Sequence, residues 1–209
     1  MPKIVDHAER RSEIAAAVWR VIGAGGIGAA TVRAVAAESG WSMGAVRHYF
    51  ASQDDLLTFA CQEMEQRVLA RVTAHYAGVG RDGSADPERA VRVLCELLPV
   101  TPDQRTEVLV WLAFMTRARL DDAFDDIRAS SWAGERYLCR LAVADARGLR
   151  LPAELTESLD PALEPVAERM HLLIDGLSLQ GLAHPEHWPP ERIREAVRDL
   201  VADVVAGVG

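Results

Sequence analysis

Residues 32–50 read Val-Arg-Ala-Val-Ala-Ala-Glu-Ser-Gly-Trp-Ser-Met-Gly-Ala-Val-Arg-His-Tyr-Phe. Two helices that cross tightly need a small residue at the contact, a glycine in the turn and apolar residues beneath. Ala36, Gly40, Val35 and Val46 supply these in the required order. The spacing predicts a helix-turn-helix, whose second helix enters the DNA major groove with its N-terminal residues on base edges. Ser42 is placed to cap that second helix, and the free N–H groups at its start suit phosphate.

Outward from this stretch nearly everything is periodic as helix. Polar caps and first-turn prolines mark the starts: Ser52 with Asp55, Thr101-Pro102-Asp103-Gln104, Asp86-Pro87, Asp160-Pro161 and Pro189-Pro190. Gly40, Gly148 and the Gly78–Gly83 stretch read as stops or turns. No segment alternates with period two for long enough to be a strand. The expectation is an all-α chain of about nine helices near 7–24, 31–39, 43–49, 53–76, 87–98, 103–119, 121–147, 162–183 and 190–206. Three short helices at the front form a compact unit, and the long ones behind form a bundle.

With 209 residues, 49% hydrophobic and 26% charged, the chain excludes disordered and low-complexity classes. No apolar run approaches a membrane span, no signal peptide is visible at Met1–Arg11, and three scattered cysteines fit reduced thiols in a cytoplasm. The net charge of −8 argues against nucleic acid, yet it is uneven. Residues 1–50 carry six basic side chains (Lys3, Arg10, Arg11, Arg20, Arg33 and Arg47) against four acidic ones (Asp6, Glu9, Glu13 and Glu38). A weakly basic head on an acidic body points to two parts with different partners.

Thr31 to Leu57, above all Ala-Val-Arg-His-Tyr-Phe-Ala-Ser-Gln-Asp-Asp-Leu-Leu over 45–57, resembles the signature of the tetracycline-repressor (TetR) family of transcriptional regulators. The amphipathic helix bearing Ile14, Val18 and Ile22 and the Gly-rich turn before Thr31 fit as well. The remaining residues fit that family in helix pattern only. The Arg-His-Tyr-Phe string and the closing helix after Trp188-Pro189-Pro190 are most similar to its BetI-like branch. The resemblance implies a helix-turn-helix DNA-binding domain over 1–52 and a ligand-binding, dimerisation domain over 53–209. It further implies a cytoplasmic homodimeric repressor on a palindromic operator, released by a small-molecule effector, with no catalysis, cofactor, metal or membrane role.

Carried over residue by residue, the resemblance gives Arg33 a base edge, with guanine as the partner Arg reads bidentately. Met43, Gly44 and Ala45 open the recognition helix, with Met43 meeting a thymine methyl and Gly44 letting the backbone approach. Arg47 and His48 face bases or phosphates, Tyr49 a phosphate, and Thr31 and Ser42 the backbone. Gln53 stands where the wider family often has lysine, so binding is expected to be less salt-sensitive.

Helix 103–119 is apolar on every side, as a helix buried all round would be. Met64, Cys95, Trp111, Phe114, Met115, Trp132, Tyr137 and Met170 either fill the core or line a cavity, and the resemblance favours a cavity. Gln62, Arg71, His75, Asp175 and Gln180 are candidates to orient a ligand, with Asp175 in the lining set; for a quaternary ammonium the tryptophans offer an aromatic cage. Leu163, Val166, Ile174, Leu177 and Gly181, then Ile193, Val197, Leu200, Val201 and Val204, form stripes that can cover the chain's own core and also meet a twin pair in a dimer four-helix bundle, with entirely intrachain burial as the competing reading. Such a dimer sets two recognition helices about 34–36 Å apart.

Three other motifs carry other chemistries. Gly23-Ala24-Gly25-Gly26-Ile27-Gly28 satisfies a dinucleotide fingerprint but follows a helix where that motif needs a strand. Asp121-Asp122-Ala123-Phe124-Asp125-Asp126 could hold Mg²⁺ against a prenyl diphosphate, the alternative function; no second acidic motif supports it, and a helix dipole accounts for acidic residues there. His184-Pro185-Glu186-His187 lacks further ligands nearby, so loop histidines are expected and no metal.

Overall fold

Helices begin where a side-chain oxygen can satisfy an exposed backbone N–H. In the computed structural model, which describes residues 7–80 and 83–207 with the side chains of 7–9, 11 and 12 excepted, Thr31, Ser42, Ser52, Asp86 and Thr101 all do so. Ser52 and Asp55 close a reciprocal capping box. Lys3, Asp6, Glu9 and Arg11 of the head's charge balance, and Arg81 and Asp82 of the Gly-rich loop, fall outside these described residues or side chains.

The described residues form nine α-helices and two 3₁₀ turns, with no strand among them. The helices are α1 (His7–Gly25), α2 (Val32–Ser39), α3 (Met43–Tyr49), α4 (Gln53–His75), α5 (Pro87–Cys95), α6 (Pro102–Ala118), α7 (Asp125–Ala146), α8 (Glu164–Ala183) and α9 (Pro190–Ala206). The turns are Ile27–Ala29 and Asp122–Phe124. None of the described helices is long and apolar enough to cross a membrane.

Two starts differ from the sequence expectation by more than one residue. The expected helix 121–147 begins only at Asp125, because Asp121 caps a separate 3₁₀ turn by accepting from the Ala123 N–H at 3.1 Å. The expected start at 162 moves to Glu164, because Asp160 accepts from the Ala162 N–H at 2.9 Å and holds a turn. Pro165 then occupies the first turn of α8, where a missing N–H costs nothing.

The cores explain how the parts are joined. Ile14, Val18 and Ile22 of α1 pack with Val35 and Val46 of the helix-turn-helix, and the same cluster continues through Leu56, Phe59 and Cys61 of α4 to Val110, Phe114 and Ala118 of α6. A second cluster joins α5, α7, α8 and α9, and a third joins α4, α5 and α7 beneath Leu151. Cys61, Cys95 and Cys139 are free and buried, and burial pushes each thiol up, Cys95 to about 11.

Candidate functional site

The helix-turn-helix presents its polar residues outward. Thr31 caps α2 by accepting from the Ala34 N–H at 3.1 Å, and Ser42 caps α3 by accepting from the Ala45 N–H at 3.1 Å. Gly40 takes φ +72° in the turn, a left-handed conformation that costs glycine little. Val35, Ala36 and Val46 are buried beneath. Thr31, Arg33, Ser42, Met43, Gly44, Arg47, His48 and Gln53 are exposed, while Ala45 and Tyr49 are half-buried. Arg33 and Arg47 have no ion-pair partner among the described residues, whereas Arg20 is held by Glu38 at 2.6 Å. Their charges are therefore available to a partner. Phe50 is buried against Phe59 of α4, with ring centroids 4.9 Å apart, so the recognition helix is keyed directly to α4.

Behind the head, α4, α6, α7 and α8 enclose a cavity of about 530 Å³. Met64, Trp111, Tyr137 and Asp175 of the expected lining set are on its wall. Phe114, Met115, Cys95, Met170 and Trp132 are not. Phe114 is fully buried in the core shared with the head, and Met115 packs against that core. Cys95 and Met170 fill the second core. Trp132 is half exposed and lies over Arg136 and His171. Periodicity marks a buried side chain but gives no sign of whether a neighbouring helix touches it.

The wall is strongly acidic. Glu65, Glu96, Glu107, Glu135, Glu154 and Asp175 line it, with no Lys, Arg or His among the lining residues. Arg71 reaches from α4 to Glu96 (2.6 Å) and to both oxygens of Glu107 (2.9 and 2.6 Å), joining α4, α5 and α6. His75 also contacts Glu96, at 2.8 Å. Gln62 and Gln180, the other proposed orienting groups, are exposed and not part of the wall.

On the α7–α8 side, Glu135, buried His171 and Asp175 bring their ligand atoms within 4.8 Å of one another. Trp111 Nε1 donates to Glu135 Oε1 at 2.6 Å. Arg136 Nε donates to His171 Nδ1 at 3.4 Å, which leaves the ring proton on Nε2 to be donated to Glu135 Oε2 at 3.0 Å. A metal would need that Nε2 lone pair and would face the Arg136 charge, so the donor set suits a hydrogen-bond network better than an ion. Burial and the neighbouring Glu135 push Asp175 up to about 6, and burial also raises Glu65.

Glu65, Glu135 and His171 were not among the residues singled out from the sequence. The available signal was a carboxylate inside an apolar stripe: Glu65 interrupts Cys61, Met64 and Val68 on α4, and Asp175 follows His171 by one turn on a largely buried face.

Of the two readings of the apolar stripes, intrachain burial accounts for most of their residues. Ile174, Gly181, Ile193, Val197, Val201 and Val204 point into this chain's own second core, and Leu163, Val166, Leu177 and Leu200 pack against or within it. Gly181 abuts Pro99 and Ile193 so closely that an added Cβ would fall within 3 Å of both. The apolar face that α8 leaves open is Leu172, Gly176, Leu179 and Ala183, spaced as one stripe, with Leu173 beside it.

The remaining motifs are structural. Asp121 pairs with Arg117 at 2.7 Å, Asp125 with Arg128, and Arg117 also reaches Asp54 at 2.8 Å. The Gly23–Gly28 string lies across the end of α1 and the first 3₁₀ turn. His184 and His187 are exposed, with Glu186 the only carboxylate near them among the described residues.

Comparison with known proteins bears on both halves. Residues 14–58 match the family described as bacterial regulatory proteins, tetR family, and residues 86–206 match BetI-type transcriptional repressor, C-terminal. The chain is 34% identical over 205 residues to the HTH-type transcriptional regulator PksA of Bacillus subtilis, covering 98% of this chain and 94% of that one. Among solved structures, a transcriptional regulator from Rhodococcus sp. Rha1 superposes with a TM-score of 0.73 at 28% identity, covering 94% and 96% of the two chains. The multidrug binding protein EbrR in complex with ethidium superposes with a TM-score of 0.61 at 27% identity, covering 93% of this chain and 99% of that one.

Proposed function

This chain belongs to the tetR family of bacterial regulatory proteins, and from that premise we propose how its two halves cooperate. It is a DNA-binding, ligand-responsive transcriptional regulator and not an enzyme. The reading beyond this is a cytoplasmic homodimer joined along the open α8 stripe, with two recognition helices on a palindromic operator. Arg33 reads a base edge, and Arg47, His48, Tyr49, Met43, Gly44 and Ala45 complete the α3 contacts. Thr31, Ser42 and Gln53 hold the sugar-phosphate backbone. The DNA-binding unit is taken as residues 1–52, and the effector-binding and dimerisation unit as 53–209.

The observation that carries this reading is α4 itself. At one end Phe59 holds the recognition helix through Phe50, and further along Met64, Glu65 and Val68 form the cavity wall. A ligand that fills the cavity and displaces α4 must therefore displace the head. That EbrR was solved with ethidium supports a small-molecule effector here. Such an effector releases DNA only to the extent that it binds the released state more tightly.

Selection from random duplexes with the purified protein tests the reading. The expected product is a palindrome with half-sites about one helical turn apart. Arg33→Ala should then cost about 1–3 kcal/mol and relax specificity at one symmetric pair of positions. No enriched sequence would overturn operator recognition, and an equal loss on every sequence would make Arg33 a phosphate contact.

A further inference from the structure

The cavity wall is unbalanced in two separate ways, in charge and in hydrogen-bond donors. Six carboxylates line it, and the arginines behind it are engaged elsewhere: Arg71 by Glu96 and Glu107, Arg136 by His171 and, at 3.9 Å, Glu168. Glu135 has a donor on each oxygen, Trp111 on one and His171 on the other. Its two neighbours are not so provided. Glu65 has a buried Oε1 with no hydrogen-bond partner, although Ser131 serves its carboxylate. Asp175 is approached by His171 only at 3.7 Å, and that ring gives its proton to Glu135. An acceptor buried without a donor costs the folded protein its full desolvation penalty.

Resting on the effector reading above, we propose that this cavity takes an amphipathic organic amine in its protonated form. The ammonium N–H groups donate to Glu65 and Asp175, and the apolar body lies along Met64, Val108, Trp111 and Leu138. Three features select this ligand class. A neutral apolar molecule would fill the volume but bring no donor to Glu65 Oε1 or to Asp175. A metal ion is disfavoured by the tautomer Arg136 imposes on His171. A quaternary ammonium has no N–H to give and depends on aromatic faces instead. Among the described residues Trp111 and Tyr137 are the only aromatic ones in the lining, and the Tyr137 hydroxyl donates to the Pro152 carbonyl at 3.1 Å.

Charge in the wall is already under tension: burial and Glu135 together disfavour ionisation of both Glu65 and Asp175. A cation between them relieves that repulsion as it binds.

Three probes of one shape separate these classes: 4-phenylbutylamine, its trimethylammonium analogue and 4-phenylbutanol, each titrated calorimetrically into the intact protein near neutral pH. The amine should bind about tenfold or more tightly than either of the others, as charge-assisted hydrogen bonds require. The ranking within the native protein needs no variant. The double substitution Glu65→Gln with Asp175→Asn should collapse the preference for the amine. Equal or tighter binding of the trimethylammonium probe or the alcohol, absence of amine binding, or a preference that survives the double substitution would each overturn the proposal. Operator binding by the same unliganded preparation is measured in parallel. Its loss would strike the regulatory reading, whereas operator released by the alcohol alone would keep that reading and remove the amine.

Discussion

Arg71→Met removes the only cation that pairs with Glu107 among the described residues and tests whether the ion-pair network at the cavity wall holds the bundle. Glu107 is 3% exposed and receives both of its strong hydrogen bonds, 2.9 and 2.6 Å, from this one guanidinium. Glu96 is better insured, since Gln104 donates to it at 2.9 Å and His75 lies at 2.8 Å. The penalty therefore falls on Glu107. Stranding one partner of a buried pair costs about 3–5 kcal/mol, and the lower end applies because Arg71 is itself about one-third exposed. We expect a loss of about 3 kcal/mol in equilibrium urea unfolding, with an unchanged denaturant slope. The double variant Arg71→Met with Glu107→Gln removes the stranded charge and should recover a good part of that loss. A single-variant loss under about 1 kcal/mol, the value of a surface pair, would refute the reasoning. So would a double variant no more stable than the single.

Two further outcomes are expected of the α8 helix. Leu172→Glu with Leu179→Glu places carboxylates on the open α8 stripe, where neither leucine is buried within the protomer. It should raise the dimer dissociation constant about a hundredfold or more in sedimentation, with helicity unchanged; an intact dimer would place the seam elsewhere. Asp175→Asn should stabilise the unliganded protein, and by more at pH above about 6 than below it. A carboxyl raised in the folded state contributes stability at low pH that is lost as pH rises through its folded value, and asparagine never pays that loss. Thermal unfolding across this range checks the sign, and a gain confined to acid would contradict it.

The front of the molecule was readable because its constraints are local. A cap such as Ser42, a left-handed turn at Gly40 and small or apolar contacts at Ala36 and Val46 act within a few residues of one another. The rear was readable in its helices and not in its faces. Ile193 and Val197 have the same apolar character as Leu172 and Leu179, yet the first pair is fully buried within the chain and the second is open. Which face meets the chain's own α5 and α7 depends on contacts between residues far apart in sequence. The cavity posed the same problem. Phe114 and Trp111 share one helix, but only Trp111 turns its ring toward the space between α4 and α7, where Glu135 receives its N–H. Asp175 is legible as a lining residue, but Glu65 and Glu135 are not, because an acidic residue in a helix is ordinarily solvated.

The core that begins at Ile14 and Val18 does not stop at the end of the recognition helix; it runs on to Val110, Phe114 and, through the second 3₁₀ turn, Phe124. This matters for anyone wishing to graft a new DNA specificity onto this protein. A splice at residue 52 would set a foreign head against Phe114 and Phe124, whose shapes were matched to this one. A transplant has a better chance when α1 to the middle of α4 travels with the tip of α6 as one piece, so that the exchanged unit is bounded by its packing and not by its order along the chain.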